Sequence, residues 1–491
     1  MGCRIAVIWR HYAAARIVPL YGGGQNCYIM GDKMDSKKYL EICERSASGP
    51  KVSKDEWDLD YIVTGVSQIV EEYDLSWDKN ILVPTDGQLL DRLFEAGRKL
   101  ILSTGVYNMT TGRIISLTED EIDEGLRNMK KELVMGEGKD AYTLYARGIE
   151  DKRDPAVWAG NPGCPTPESI FYKNVLSYAK EPIIDLLTCG SLVDVDGFPV
   201  IRNHPSEVLA TCRELEYLRK ALNEAGRPGM GMLAAESAVT ELGDLAAASQ
   251  NRLRPCDSHL IAMFNELIMD NGNMVRAAYS LDYGMKNASL ACAMVGGLGG
   301  DAPGAAIVMI ASIMAANIVC LADYHLCHPI HIRDVSTTAR GCLWLQSVLC
   351  QAFAKNAPAI IVCDIWPKSG AMTKEILYEV AANAIVVTVS GGHLEGVGAA
   401  DGREPNGTGL EARFMGEVGK AAARQNMTRE QANEIVLKLL AKYEHVFNEP
   451  EKYVGKRFDE AYDMTNVTPL PQWEKMYLEV KDELREMGLK I

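Results

Sequence analysis

The sequence has no C-x-x-C pair, no long basic run and no internal repeat of fixed period. Each absence excludes something. Thirteen cysteines, an odd number without that spacing, do not make a disulfide framework and read as reduced thiols of a cytoplasmic protein. Lys and Arg (51) are outnumbered by Asp and Glu (66), and a net charge of −15 with no basic stripe argues against nucleic acid as a partner. What is present is ordinary for a soluble globular chain: 47% hydrophobic, 24% charged and 7% aromatic residues, which excludes disordered, collagen-like and mucin-like chains. At 491 residues the chain is long enough for about three domains, or for one (β/α)8 barrel with added helices.

One uncharged run, 302–322, has the length of a bilayer span. Pro303 and Gly304 at its start, Asn317 within it and the strand-like run 324–333 after it favour a buried helix and strand, so no membrane is expected. Residues 1–34 read as a non-core extension, because Arg4, Arg10, His11 and Arg16 break the apolar pattern and Gly22, Gly23 and Gly24 follow.

Residues 35–178 read as a helical N-terminal region. Leu89, Leu90, Leu93, Phe94, Gly97, Leu100 and Ile101 recur at helical spacing behind an N-cap at Thr85 or Asp86, and Thr118 with Glu121 forms a capping box. The stretch 136–167, rich in Gly, Pro and Asp, reads as loop. From 179 to 425 short apolar runs (183–189, 274–279, 359–365, 384–390) alternate with helical stretches such as 205–225 and 338–354. Repeated β-then-α units imply a parallel sheet, and their number predicts an α/β fold, a closed (β/α)8 TIM barrel, followed by C-terminal helices over 426–491. An open dinucleotide-binding sheet is disfavoured because neither 296–304 nor 390–402 satisfies G-x-G-x-x-G.

Barrel chemistry sits where strands end. The run GRPGMGM (226–232) allows either tight packing or close approach of a large ligand, and Asp257, Ser258, His259 and Glu266 cluster in CDSHLIAMFNEL (256–267). His325, His328 and His331 stand three apart, but on a strand His328 faces away from the other two, so no metal is expected. His331 and Arg333 suit anion recognition or acid/base work.

Taken in order, GRPGMGM (226–232), DSH and NEL (257–259, 265–267), PIHIR (329–333), STTAR (336–340), GLEARFMGEV (409–418) and YDMTNVTP (462–469) resemble the monomethylamine methyltransferase family. The resemblance runs from about residue 35 to the C-terminus. It implies a (β/α)8 barrel, a homo-oligomer (a hexamer by resemblance) and methyl transfer to the Co(I) corrinoid of a separate cognate carrier protein. Glu236, Asp257, His259, Glu266, His325, His331 and Arg333 match the family. Of these, His259, His331, Glu266 and Arg333 are candidate catalytic residues. Gly229, Gly231, Gly297 and Gly392 are candidate points of close backbone approach for the corrinoid.

The family carries pyrrolysine directly after its G-R-P-G-M-G-x run, and here that residue is Leu233. Two family glutamates fall on Leu260 and Ser289. A leucine cannot capture an amine, so the sequence points to a substrate other than monomethylamine, a quaternary or otherwise N-methylated compound that leaves as a neutral amine. Its pocket would be lined by Leu233, Leu260, Ser289, Glu236 and Asp257, with the aromatic faces of Phe264, Tyr279 or Tyr283 meeting its charge. Two alternatives stay open: a zinc-dependent barrel methyltransferase or hydrolase acting on an O- or S-linked substrate, and a non-catalytic paralogue that binds the corrinoid protein.

Overall fold

Eight short parallel strands, each followed by a helix, close on themselves. They are β1 (Val157–Ala159), β2 (Leu186–Leu187), β3 (Leu233–Ala234), β4 (Ser258–Met263), β5 (Lys286–Ala291), β6 (Tyr324–Cys327), β7 (Ile361–Ile365) and β8 (His393–Gly396). In this computed structural model, which describes residues 34–491, pairing runs unbroken from β3 through β8 to β1 and β2, and a bridge from Leu187 to Met232 completes the ring. The helices are α1 (Glu168–Ala179), α2 (Pro205–Glu224), α3 (Glu241–Ala248), α4 (Asn271–Tyr283), α5 (Ala302–Val319), α6 (Arg340–Asn356), α7 (Lys374–Ser390) and α8 (Gly409–Arg424). The fold is a (β/α)8 barrel with added helical layers at both ends of the chain. Apart from Met34, the expectation for residues 1–34 concerns residues outside those described.

Inside the barrel, Trp158, Leu233, Ala288 and Val362 come from alternate strands and share one buried apolar cluster, a barrel layer of four side chains. Below them Ser258 and Tyr324 join their hydroxyls at 2.7 Å. The N-terminal end is plugged by a hairpin, Glu132–Met135 with Tyr142–Tyr145, whose Leu133, Met135 and Leu144 enter the same cluster.

The helix Gly87–Thr104 lies on α5, so close that a Cβ on Gly97 would come within 2.5 Å of Ile310. This second layer explains the composition of α5: a helix covered on both faces is apolar all round, and all of it except Asn317 is buried. Asn317 donates to the Gly125 carbonyl at 2.7 Å. Residues 302–319 of the run 302–322 are therefore a barrel helix buried within the protein and not a bilayer span. Asp86 caps Gly87–Thr104, and Thr118 with Glu121 forms the capping box of the helix Glu119–Asn128. At the other end of the chain, Pro471–Glu486 is tied to α7 through Glu483, which accepts from Tyr378 Oη (2.7 Å) and pairs with Lys374 and Lys442.

Three expectations fail. The run 384–390 is the end of α7, the run 274–279 lies in α4, and β1 falls inside the stretch read as loop, ahead of the expected barrel start at 179. A buried barrel helix is as uniformly apolar as a parallel strand, so hydrophobicity alone does not separate them; residues 376–390 are buried throughout. β1 is only three residues long and sits among prolines and glycines.

Candidate active site

Strand alternation aims Glu395 (β8) and Asp364 (β7) into the barrel as register neighbours, and Glu395 is also the register neighbour of Trp158. Glu395 is fully buried, and neither of its carboxyl oxygens has a hydrogen-bond partner among the described residues. The same holds for Asp364 Oδ1, Thr188 Oγ1 and the Trp158 indole nitrogen. Such orphaned groups are costly in a closed core, and five on one side of the barrel mark a space shaped for a polar guest. The other Asp364 oxygen accepts from His328 Nδ1 at 2.7 Å, and the His328 ring meets Trp366 edge-on at 4.8 Å between centroids.

Glu236, just past β3, is the third carboxyl group. Burial, and after it the negative charges of Glu214, Asp364 and Asp244, push it up to about 8. Glu395 is raised well above the ordinary carboxylate range by burial and then by Asp364 and Glu236. Glu236 is thus within electrostatic reach of Asp364 and Glu395, which are register neighbours. Among the described residues neither Glu236 nor Glu395 has a salt-bridge partner. The loop after β8 packs on Trp366: a Cβ on Gly398 would fall 1.4 Å from its indole nitrogen, and one on Gly402 2.4 Å from its ring, so only glycine lets the loop cover Trp366.

The expected site residues scatter. Leu233 and Leu260 do face the interior, Leu233 in the middle layer and Leu260 packed against it. Ser289 does not. It stands between Ala288 and Leu290, which turn inward, so its hydroxyl points outward and meets His325 Nδ1 at 2.8 Å. His259 is outward too, 2.8 Å from Asn287 Oδ1 and 3.9 Å from Asp244. Asp257 precedes β4 at the closed end, where Arg254 and Arg219 both bind it. Glu266 is buried beyond the end of β4, its backbone carbonyl accepting from Trp57 and its carboxyl pushed up to about 7 by burial. His331 sits on the rim with Asp334 at 2.8 Å, and the exposed Arg333 pairs with the same Asp334.

The glycines are corrected similarly. A Cβ on Gly229 would strike the Glu137 carbonyl at 2.2 Å, one on Gly231 the Gly136 nitrogen at 2.7 Å, and one on Gly392 Val387 at 2.7 Å. All three lie at the closed end and serve packing against the floor hairpin and α7. Gly297 alone of the four lies in a loop at the open end, after β5. Tyr279 and Tyr283 stack on each other in α4, and Tyr283 donates to the Leu253 carbonyl, so neither faces the barrel interior.

Glu395 and Asp364 went unmarked in the sequence, although a signal existed: each is a carboxyl group within the last residues of an apolar run, in HLEG and IVCDI. Among the described residues no group of three or more His, Cys, Asp and Glu side chains is arranged to hold a metal ion.

A sequence model of the monomethylamine methyltransferase MtmB family matches residues 38–489. The chain belongs to the monomethylamine methyltransferase family. The monomethylamine methyltransferase MtmB2 of Methanosarcina acetivorans is 34% identical over 91% of this chain and 97% of its own length. The MtmB of Methanosarcina mazei is 32% identical, again over 91% and 97%. The crystal structure of the Methanosarcina barkeri enzyme superposes with a TM-score of 0.89 at 32% identity, covering 92% of this chain and 98% of that one. The chain is a methyltransferase. These matches overturn the expectation, drawn from Leu233, that monomethylamine is not the substrate. The expectation counted Glu236 and Asp257 as the acidic lining of the pocket, whereas Asp364 on β7 and Glu395 on β8 are carboxyl groups that it left out.

Proposed function

We propose that the chain removes the methyl group of monomethylamine, bound as its ammonium ion, and delivers it to a corrinoid carried by a partner protein. The observation that carries this is the set of carboxyl groups Glu236, Asp364 and Glu395, with three buried carboxyl oxygens lacking partners among the described residues. A methylammonium nitrogen offers three N–H donors and one positive charge, the complement of such a set. Leu260 and Leu326 supply apolar wall for the methyl group, above the Trp158, Leu233, Ala288 and Val362 layer.

Chemistry follows from protonation. Held among carboxylates, the amine stays an ammonium ion, so the leaving group is neutral ammonia and not an amide anion. Acid-held ammonium is thus a second way to activate a small amine, alongside pyrrolysine. The corrinoid, when docked, supplies the nucleophile at its cobalt. This chain's residues bind and orient the cation, keep its nitrogen protonated and exclude water beneath the Trp366 loop. Orphaned acceptors at the open end of the strands fit delivery of a methyl group outward to such a partner. On the same view the chain forms a homo-oligomer and works in the cytoplasm with its thiols reduced.

Calorimetry with methylammonium chloride tests this. Binding is expected, weakened at least about tenfold in Glu395→Gln, the scale of one lost charge-assisted hydrogen bond. Absence of binding, together with an unchanged corrinoid absorption spectrum when methylamine and a reduced corrinoid carrier are added, would refute it.

A further inference from the structure

Glu214 is buried in α2, and no candidate role above uses it. Its carboxylate accepts three consecutive backbone N–H groups: Ala235 (2.8 Å) and Glu236 (3.2 Å) on Oε1, and Ser237 (2.7 Å) on Oε2. The Cys189 thiol, just past β2, donates to the same Oε1 at 3.2 Å. A carboxylate saturated by amides from a single turn acts on that turn's shape. The turn needs it, because Ala235 is held at φ +75°, a left-handed conformation that a residue with a Cβ adopts rarely. Two further bonds pin two of these residues to the loop after β2: Ser191 Oγ donates to the Glu236 carbonyl at 2.7 Å, and Leu192 N donates to Ser237 Oγ at 2.9 Å.

The turn is what presents Glu236. Building on the methylammonium reading, we propose that Glu214 is the positioning residue of the reaction: its buried carboxylate clamps the 235–237 turn and so holds the Glu236 carboxyl group opposite Asp364 and Glu395. It touches no substrate. Its second effect is electrostatic, since its negative charge is the largest contribution from any neighbour to keeping Glu236 protonated before the cation arrives. Other charges face Glu236 as well: Asp364 from β7, Glu395 from β8, Asp244 from α3 and Arg276 from α4, with the thiols of Cys164 and Cys189 nearby. Of these, only Glu214 also holds the backbone of the turn.

The test compares wild type, Glu214→Gln and Glu214→Asp in the full-length protein. Hydrogen exchange read by mass spectrometry on peptides spanning 235–237 reports the clamp whether or not any substrate is known. Exchange there is expected to quicken about tenfold or more in Glu214→Gln, in which an amide N–H2 replaces one acceptor. The pH profile of methylamine turnover, followed by the carrier's absorption, supplies a readout that a merely structural residue would leave in place. Loss of the charge is expected to move the limb assigned to Glu236 to lower pH by about one unit and to lower kcat more than it raises KM. Glu214→Asp keeps the charge, so its limb stays within a few tenths of a unit of wild type while the shorter side chain loosens the turn. Unchanged exchange at 235–237, or a limb that stays put in Glu214→Gln, overturns the role of Glu214. If wild type neither binds nor turns over methylamine while exchange at 235–237 quickens in Glu214→Gln, the substrate is wrong and the clamp stands. A Glu214→Gln protein that fails to fold leaves Glu214→Asp to decide by the same exchange measurement: no quickening there overturns the clamp.

Discussion

Replacing Glu395 with leucine is expected to make the protein more stable and useless. The side chain is fully buried beside its register neighbours Trp158 and Asp364, with both oxygens lacking partners among the described residues. An unsatisfied buried polar group costs about 1–3 kcal/mol, more when charged, and an apolar group of similar length removes that cost. Glu395→Leu should therefore gain about 1–3 kcal/mol and raise the thermal midpoint by a few degrees. The ligand's contribution should vanish. In wild type, methylammonium at about 100 times its Kd adds about 2.7 kcal/mol, whereas in the variant the same concentration should add nothing measurable. Thermal unfolding with and without methylammonium reads both numbers at once. A variant destabilised by more than about 1 kcal/mol, with its methylammonium shift intact, would show that Glu395 is a structural acid whose partners lie elsewhere.

Four further outcomes follow from the same geometry. Stability should fall as pH rises from about 4.5 to 8, because Glu236 and Glu411 are held at about 8, and Glu266 and Asp244 at about 7, all above their ordinary values. The folded chain binds more protons than the unfolded one across that window, so urea midpoints should be lower at pH 8 than at pH 5.5, and a rise would contradict the burial of these groups. Methylammonium should bind more tightly as pH climbs through about 8, where Glu236 loses its proton, with proton uptake by the buffer visible in calorimetry; affinity flat between pH 6 and 9 would count against carboxylate binding. Leu233→Ala should cost about 2–5 kcal/mol in denaturant unfolding, since Leu233 belongs to the buried layer of Trp158, Ala288 and Val362; a cost below about 1 kcal/mol would place it outside the packed core. Asp257→Ala should cost about 3–5 kcal/mol by stranding Arg254 and Arg219, while KM for methylamine in the folded fraction stays put, and a raised KM at full stability would restore Asp257 to the substrate site.

Much of the architecture was legible in order of residues alone. Periodicity located Gly87–Thr104, Pro205–Glu224 and Arg340–Asn356 to within a few residues, and the capping box at Thr118 and Glu121 needs only its two side chains at the right spacing. The alternation of β and α units led to a closed barrel, because short apolar strands joined through helices pair in parallel. Local information ended where burial was complete. In α7 both faces are covered, so 384–390 lost the one-sided pattern that distinguishes helix from strand.

The site was harder, for a different reason. Motif resemblance directed attention to Leu233, Leu260 and Ser289, which carry no charge, and from them came an apolar pocket and the wrong substrate. Whether Ser289 faces in or out is set by which neighbour packs on the inner layer, and it is Ala288 and Leu290 that do. Glu236 stands more than a hundred residues before Asp364 and Glu395 and follows a strand on another side of the ring, so nothing short of closing the ring brings its charge to theirs. The sequence by itself determined that strand ends alternate with helices and that carboxyl groups stand at several of those ends. Only the tertiary structure decided which of them share one space, because a barrel's register and shear, accumulated over eight pairings, choose the residues that face the same side of the same cavity.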